Sequence, residues 1–205
     1  MADIYQNFKE LASMHREAVD YRIDFREKDS RFAIIAPHGG KIERGTSRVA
    51  NAIAGDDYAY YSFEGLKPKS HSLHITSDRF DEPHALSIAC RVDIVVTIHG
   101  AYGELPCVYL GGLHEELKVI LITNLNECGF YATYDPSPTR QGKGITNICN
   151  RGRRKKGVQI EMTQGFRKSL YDKSVHDKSV WKENTNFYHF VSIIRNVLGE
   201  KNGYI

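Results

Sequence analysis

Residues 93–98 read DIVVTI. After the aspartate come five β-branched residues in a row, with no polar face among them. A strand of this kind is buried on both sides, so the rest of the chain must supply a layer over each face of its sheet. RFAIIA (31–36) reads as a second apolar strand, ending at Pro37, and YRIDFRE, DYAYYSF, SLHIT, CVYL, FYATY and GVQIEM read as further strands.

Helical patterns fall around them. DIYQNFKELASM puts Ile4, Phe8, Leu11 and Ala12 on one face. TSRVANAIAG has Thr46 as its N-cap and Gly55 as its stop. PHALSIAC is opened by Asp81 and Pro83, and HEELKVILITNLNE stops at Gly129. TQGFRKSLY and NTNFYHFVSIIRNVL complete the set. Strands alternating with helices predict one α/β domain over residues 1–205, an open, mostly parallel or mixed sheet with helices on both faces.

Composition excludes several classes. With 205 residues, 41% hydrophobic and 26% charged, the chain can bury a sizeable core. A net charge of +3 does not suggest a nucleic-acid partner. No apolar run approaches the roughly 20 residues that span a bilayer, so no membrane association is expected. The N-terminal stretch carries acids early and lacks an apolar core, unlike a secretory signal. Folding in the cytoplasm is expected, with action outside open through cell lysis, and a monomer is expected. Cys90, Cys107, Cys128 and Cys149 form no CxxC pair, which predicts free thiols rather than a thiolate metal site.

In open α/β sheets, ligands bind past the carboxyl ends of strands. The first polar residue past RFAIIA is His38, past DIVVTI it is His99, and at the end of GVQI it is Glu161. A single histidine at a strand end is commonly a hydrogen-bonded structural residue. Two, each followed by glycine, invite a second reading, since glycine admits close approach of backbone or ligand. Gly39 and Gly40 let the following turn fold back and bring Glu43 toward His38. Two histidines and a carboxylate form a known catalytic zinc set with an open position, although H-x4-E needs a loop rather than a helix to supply the geometry.

Other polar residues carry paired readings. Glu161 is either a base beside an activated water or a strand-end acid salt-bridged to Arg167. Arg151 is either a fork for a substrate carboxylate or part of a solvated loop. The run RGRRKK (151–156) forms an electropositive lip that attracts a polyanion. His74 suits a pocket wall touching substrate better than a metal ligand. Ser47, Ser72 and Ser77 lack a nucleophile-elbow context.

At PHGGKIERGT (37–46), SLHITSDRFDEP (72–83), HG (99–100), GGL (111–113), NR (150–151) and GVQIE (157–161) the chain resembles the poly-γ-glutamate hydrolase family of Bacillus and its phages. The resemblance implies a zinc carboxypeptidase-like fold and zinc-dependent cleavage of γ-glutamyl amides. It implies zinc on His38, Glu43 and His99, with Glu161 as the catalytic carboxylate. Asn150 and Arg151 look like the Asn-Arg pair with which carboxypeptidases hold a substrate carboxylate. Here that pair follows His99, whereas in carboxypeptidases it precedes the last zinc histidine. Two other functions stay open at this point: a zinc amidohydrolase for a small acylated amino acid, and a non-catalytic polyanion-binding module.

Overall fold

The structure is a computed structural model, and it describes residues 3–173 and 181–200. Seven strands form one mixed sheet: β1 (Tyr21–Arg26), β2 (Phe32–Gly40), β3 (Ala59–Gly65), β4 (Ile94–Ala101), β5 (Val108–Gly111), β6 (Ala132–Tyr134) and β7 (Val158–Thr163). Their order across the sheet is β1-β3-β2-β4-β7-β5-β6. The central pairs β2–β3, β2–β4 and β4–β7 are parallel, while β1 on β3 and β5 on β7 are antiparallel. A separate ribbon pairs β8 (Tyr171–Lys173) with β9 (Trp181–Glu183).

The apolar runs divide by the period of a strand. Phe32, Ile34 and Ala36 point into one core with Ile94, Val96 and Ile98; Ala33, Ile35 and Val95 point into the other. On the first face lie α2 (Thr46–Ala54), α4 (Glu115–Glu127), α5 (Gln164–Ser169) and α6 (Thr185–Glu200). On the second lie α1 (Phe8–Met14) and α3 (Pro83–Arg91). DIVVTI is thus covered on both sides, as its composition requires.

Local expectations needed correction in four places. β2 does not end at Pro37 but runs on to Gly40, with its register against β3 shifting between Ala36 and Gly39. Proline has no N–H for the ladder, and the irregularity absorbs that loss just where His38 turns out of the sheet. The N-cap of α2 is Gly45, not Thr46. Thr46 opens the helix and its hydroxyl donates back to Glu43 O at 2.8 Å. The N-cap of α3 is Glu82, whose side chain accepts from Ala85 N. SLHIT is not a strand. A 3-10 turn covers Ser70–Leu73, because the Ser70 and Ser72 hydroxyls bond back to Lys67 O and Lys69 O and close the backbone locally.

β2 and β4 are neighbours at the centre. The helices that follow β2 and β3, α2 and α3, cover opposite faces. A crevice past the carboxyl ends of these strands is the place such a sheet offers a ligand.

Candidate active site

His38 reaches that crevice from the irregular end of β2. The turn beyond it is closed by Glu43 N donating to His38 O at 2.9 Å, which sets the two residues side by side. Both glycines are required by close contacts. A Cβ on Gly39 would lie 2.6 Å from Ser62 Oγ. Gly40 has φ +63°, and a Cβ there would lie 2.6 Å from Gly65 O.

His99, near the end of β4, comes from the other side. His38 Nδ1 lies 3.2 Å from His99 Nδ1 and 3.2 Å from Glu43 Oε1; His99 Nδ1 lies 3.7 Å from Glu43 Oε2. A tetrahedral ion with zinc–nitrogen bonds of about 2.0–2.1 Å holds two nitrogen ligands about 3.3 Å apart, so these separations fit a zinc-sized ion. The far side of His38 is fixed, since Nε2 lies 2.8 Å from Ile75 O. A proton placed there leaves the Nδ1 lone pair facing the cluster. Gly100 N donates to Glu43 Oε2 at 2.8 Å and holds the carboxylate in place.

His74 stands over the same cluster. Its Nε2 is 4.0 Å from Glu43 Oε1, and its ring lies 4.0 Å from that of His38 with a 31° tilt. His38, Glu43 and His74 thus also lie within metal-sharing distance of one another. Lone pairs lie in the ring plane, however. His38 and His99 bring their Nδ1 atoms to 3.2 Å with the rings at 62°, while the His38 and His74 rings lie nearly face to face.

Glu161 sits in register with His99 across β4 and β7. Gln159, two residues earlier on the same strand face, donates to Glu161 Oε1 at 3.0 Å and to Arg140 O at 2.8 Å. Arg140 in turn forms a two-point pair with the buried Asp135. Arg167 is not the salt-bridge partner of Glu161. Its guanidinium donates to the carbonyls of Met162, Arg44 and Ala101. It also lies where a Cβ on Gly100 would stand, 2.7 Å away.

The two carboxylates are driven apart in acidity. Burial raises Glu43, but the charges and hydrogen bonds of His38 and His99 outweigh it and hold the group well below the usual range. Burial, then the charges of Glu43 and Asp135, push Glu161 up to about 8. One acid is thus kept ionised and its neighbour is kept ready to hold a proton, the pattern of an acid–base site.

Other expected residues fall elsewhere. Asn150 is buried and spends its amide on four backbone groups. Oδ1 accepts from Leu113 N and Gly157 N, and Nδ2 donates to Gly142 O and Gly144 O. An amide side chain has no further hydrogen-bonding capacity, so Asn150 ties loops together and does not reach a ligand. Arg151 donates through Nε to Thr146 O. The basic run beyond it forms no lip at the cluster. Arg153 N and Arg154 N bond Val92 O and Asp93 O, at the start of β4. His99 is six residues further along that strand, about 20 Å away. Gln159 escaped the sequence reading, although its alternation with Glu161 along GVQIEM was the available signal. Asp3, which bonds His74, carried no signal in the sequence.

A central mixed sheet with two histidines and two carboxylates gathered at its carboxyl edge defines the chain as an α/β protein with a candidate metal site. Residues 5–193 match the poly-gamma-glutamate hydrolase family, and the chain belongs to that family. It is 36% identical over 204 residues to the UPF0714 protein YndL of Bacillus subtilis (strain 168), covering 98% of this chain and 79% of YndL. It is 32% identical over 201 residues to the SPbeta prophage-derived UPF0714 protein YoqZ of the same strain, covering 97% and 73%. Its fold matches a bacteriophage poly-gamma-glutamate hydrolase with TM-score 0.90 at 27% identity, and a zinc-free form of YndL with TM-score 0.90 at 36% identity. Both matches cover the whole of each chain. A likeness to N-formylglutamate amidohydrolase from Ralstonia eutropha, TM-score 0.56 at 13% identity over 91% of this chain and 98% of that one, concerns the fold alone.

Among the described residues no helix is long and apolar enough to cross a membrane.

Proposed function

We propose that the protein hydrolyses γ-glutamyl amide bonds of poly-γ-glutamate with one zinc ion held by His38, Glu43 and His99. The observation that carries this is the 3.2–3.7 Å spacing of the three donor groups, with Glu161 in register beside them. The family match and the existence of a zinc-free form of YndL support it. Bound zinc would polarise the amide carbonyl and lower the pKa of water.

The chain's own groups do the rest. Glu161 takes one proton from the attacking water as the oxygen adds to the γ-carbonyl carbon, and passes it to the nitrogen as the C–N bond breaks. The products are a free γ-carboxylate and a free α-amine, and no covalent enzyme intermediate is required. Gln159 holds one oxygen of Glu161 and leaves the other to face water. His74 borders the substrate space.

The test combines metal analysis with viscometry of poly-γ-glutamate solutions. Wild type should carry close to one zinc per chain and thin the solution. His38→Ala should lose both properties, and Glu161→Gln should keep the metal and lose the activity. An active, metal-free wild type would overturn the metal role.

A further inference from the structure

The cations that sequence reading placed beside the site lie at the wrong end of β4, yet a polyanionic substrate needs a positive surface near the scissile bond. Another surface has that character. A groove of about 1050 Å³ runs along the outer side of the turn that carries Glu43. Gly40, Lys41, Ile42, Arg44 and Gly45 line it, while Glu43 itself turns inward to His38 and His99.

The charge in this groove is one-sided. Arg22, Lys41, Arg44, Arg48, Arg167 and Lys168 line it, against the acids Asp24 and Glu64. Glu64 is already paired with Arg22, and Arg48 and Lys168 pair with Glu183 and Glu104. The Arg48 and Lys168 pairs are substantially exposed, hence weak and easily exchanged for a ligand carboxylate. The Arg44 guanidinium makes no hydrogen bond or ion pair among the described residues. Tyr171 and the partly exposed Trp181 give the groove an apolar wall against which methylene groups can lie.

The groove also meets the reacting centre. Arg167 lines it, and its guanidinium rests on Gly100, whose N–H holds Glu43 Oε2. Its volume stands at the upper end of the roughly 300–1,000 Å³ of small-molecule sites, which leaves room for more than one amino acid.

We propose that this groove binds a run of the carboxylate-bearing polymer to one side of the cleaved bond, so that the enzyme grips a chain rather than a terminal residue. The inference rests on the poly-γ-glutamate reading above. Each repeat brings one α-carboxylate to a row of cations and one short methylene segment to the aromatic wall.

The test is Lys41→Glu/Lys168→Glu, which reverses two exposed charges whose side chains bond none of the donor atoms, with Lys41→Gln/Lys168→Gln as a milder partner. Thermal melting verifies folding. Cleavage of long poly-γ-glutamate and of a short γ-glutamyl oligomer is measured for each protein across salt concentrations. Binding of the long polymer is measured on a Glu161→Gln background. We expect KM for the long polymer to rise about tenfold or more in the Glu variant, less in the Gln variant and less for the oligomer. Polymer affinity should fall in parallel, and the salt dependence should flatten. Equal effects on polymer and oligomer, or none, would overturn the groove while leaving the chemistry intact. A wild type that cleaves neither substrate would instead sink the reading on which the groove depends.

Discussion

Asp3 Oδ1 lies 2.6 Å from His74 Nδ1, and this contact joins the beginning of the chain to the ring that overhangs the donor cluster. Asp3 also accepts from Thr76 N at 2.7 Å and from Arg79 Nη2 at 2.6 Å, so the carboxylate is itself held firmly. A proton on His74 Nδ1 directed at Asp3 leaves the Nε2 lone pair turned to the pocket. The charge of His38, then burial, lowers His74 to about 4, which keeps the ring neutral near pH 7.

Replacing Asp3 with alanine should therefore lower kcat by about tenfold, the low end of the cost of removing an outer partner from a metal-bound histidine, since His74 holds no metal in this reading. Bound zinc should be unchanged, because His74 is not one of the proposed ligands. Nitrogen NMR of the metal-free protein should show His74 changing tautomer. An unaltered tautomer and wild-type kcat would refute the positioning role.

What the sequence disclosed follows from how far each signal reaches. DIVVTI and RFAIIA carried the central strands because burial on both faces leaves no polar position. His38, His99 and Glu161 were legible because each ends an apolar run, and parallel strands bring such ends to one edge. The partner of His74 was not, since Asp3 is 71 residues away and nothing local marks the pairing. The run RGRRKK misled for a related reason. Its charge was visible, but its position depended on the hydrogen bonds from Arg153 and Arg154 to the start of β4. The cationic groove is assembled from separate segments, none of which is a basic run by itself.

Asn150→Ala should act on stability rather than on chemistry. It strips partners from two N–H groups and two carbonyls at once, the Gly157 N–H and Gly142 carbonyl bonds being buried and the other two partly so. Each orphaned group costs about 1–3 kcal/mol, offset where water enters, so a net loss of about 2–4 kcal/mol is expected. For a chain of this size that lowers Tm by roughly 5–15 °C. Calorimetry checks the shift, and kcat measured well below the transition should stay within about threefold of wild type. A large fall in kcat with an unchanged Tm would restore Asn150 to the ligand-binding set.

Zinc should behave as a folding ligand. Donors spaced 3.2–3.7 Å apart exist in the native state and not in the unfolded chain. At free zinc about 1,000 times Kd the native state gains about 4 kcal/mol, which raises Tm by about 8–16 °C. Stripping wild type with a chelator should remove that increment, and zinc should give none to His38→Ala. Scanning calorimetry with and without zinc decides this, and an equal Tm gain in both proteins would place the metal elsewhere.

The raised Glu161 makes a signed prediction for the metal-free protein. Burial first, and the Glu43 charge second, push this acid from an ordinary 4.5 up to about 8. The folded state therefore holds the proton more tightly than the unfolded chain does. The stability from this group is fully present below about pH 4.5. It is lost as pH rises toward 8, where a buried carboxylate must ionise, and it changes no further above that. The loss accrues at about 1.4 kcal/mol for each pH unit traversed, so a few kcal/mol are at stake. Glu161→Gln cannot ionise and should lack this decline. Denaturant unfolding of both proteins in chelator from pH 4.5 to 8.5 should give curves that diverge with pH in favour of the glutamine variant. Saturating zinc should narrow the gap, because a nearby cation stabilises the ionised carboxylate. Parallel curves in the metal-free state would show that folding does not raise the pKa of Glu161 and would remove the separation in acidity between Glu43 and Glu161.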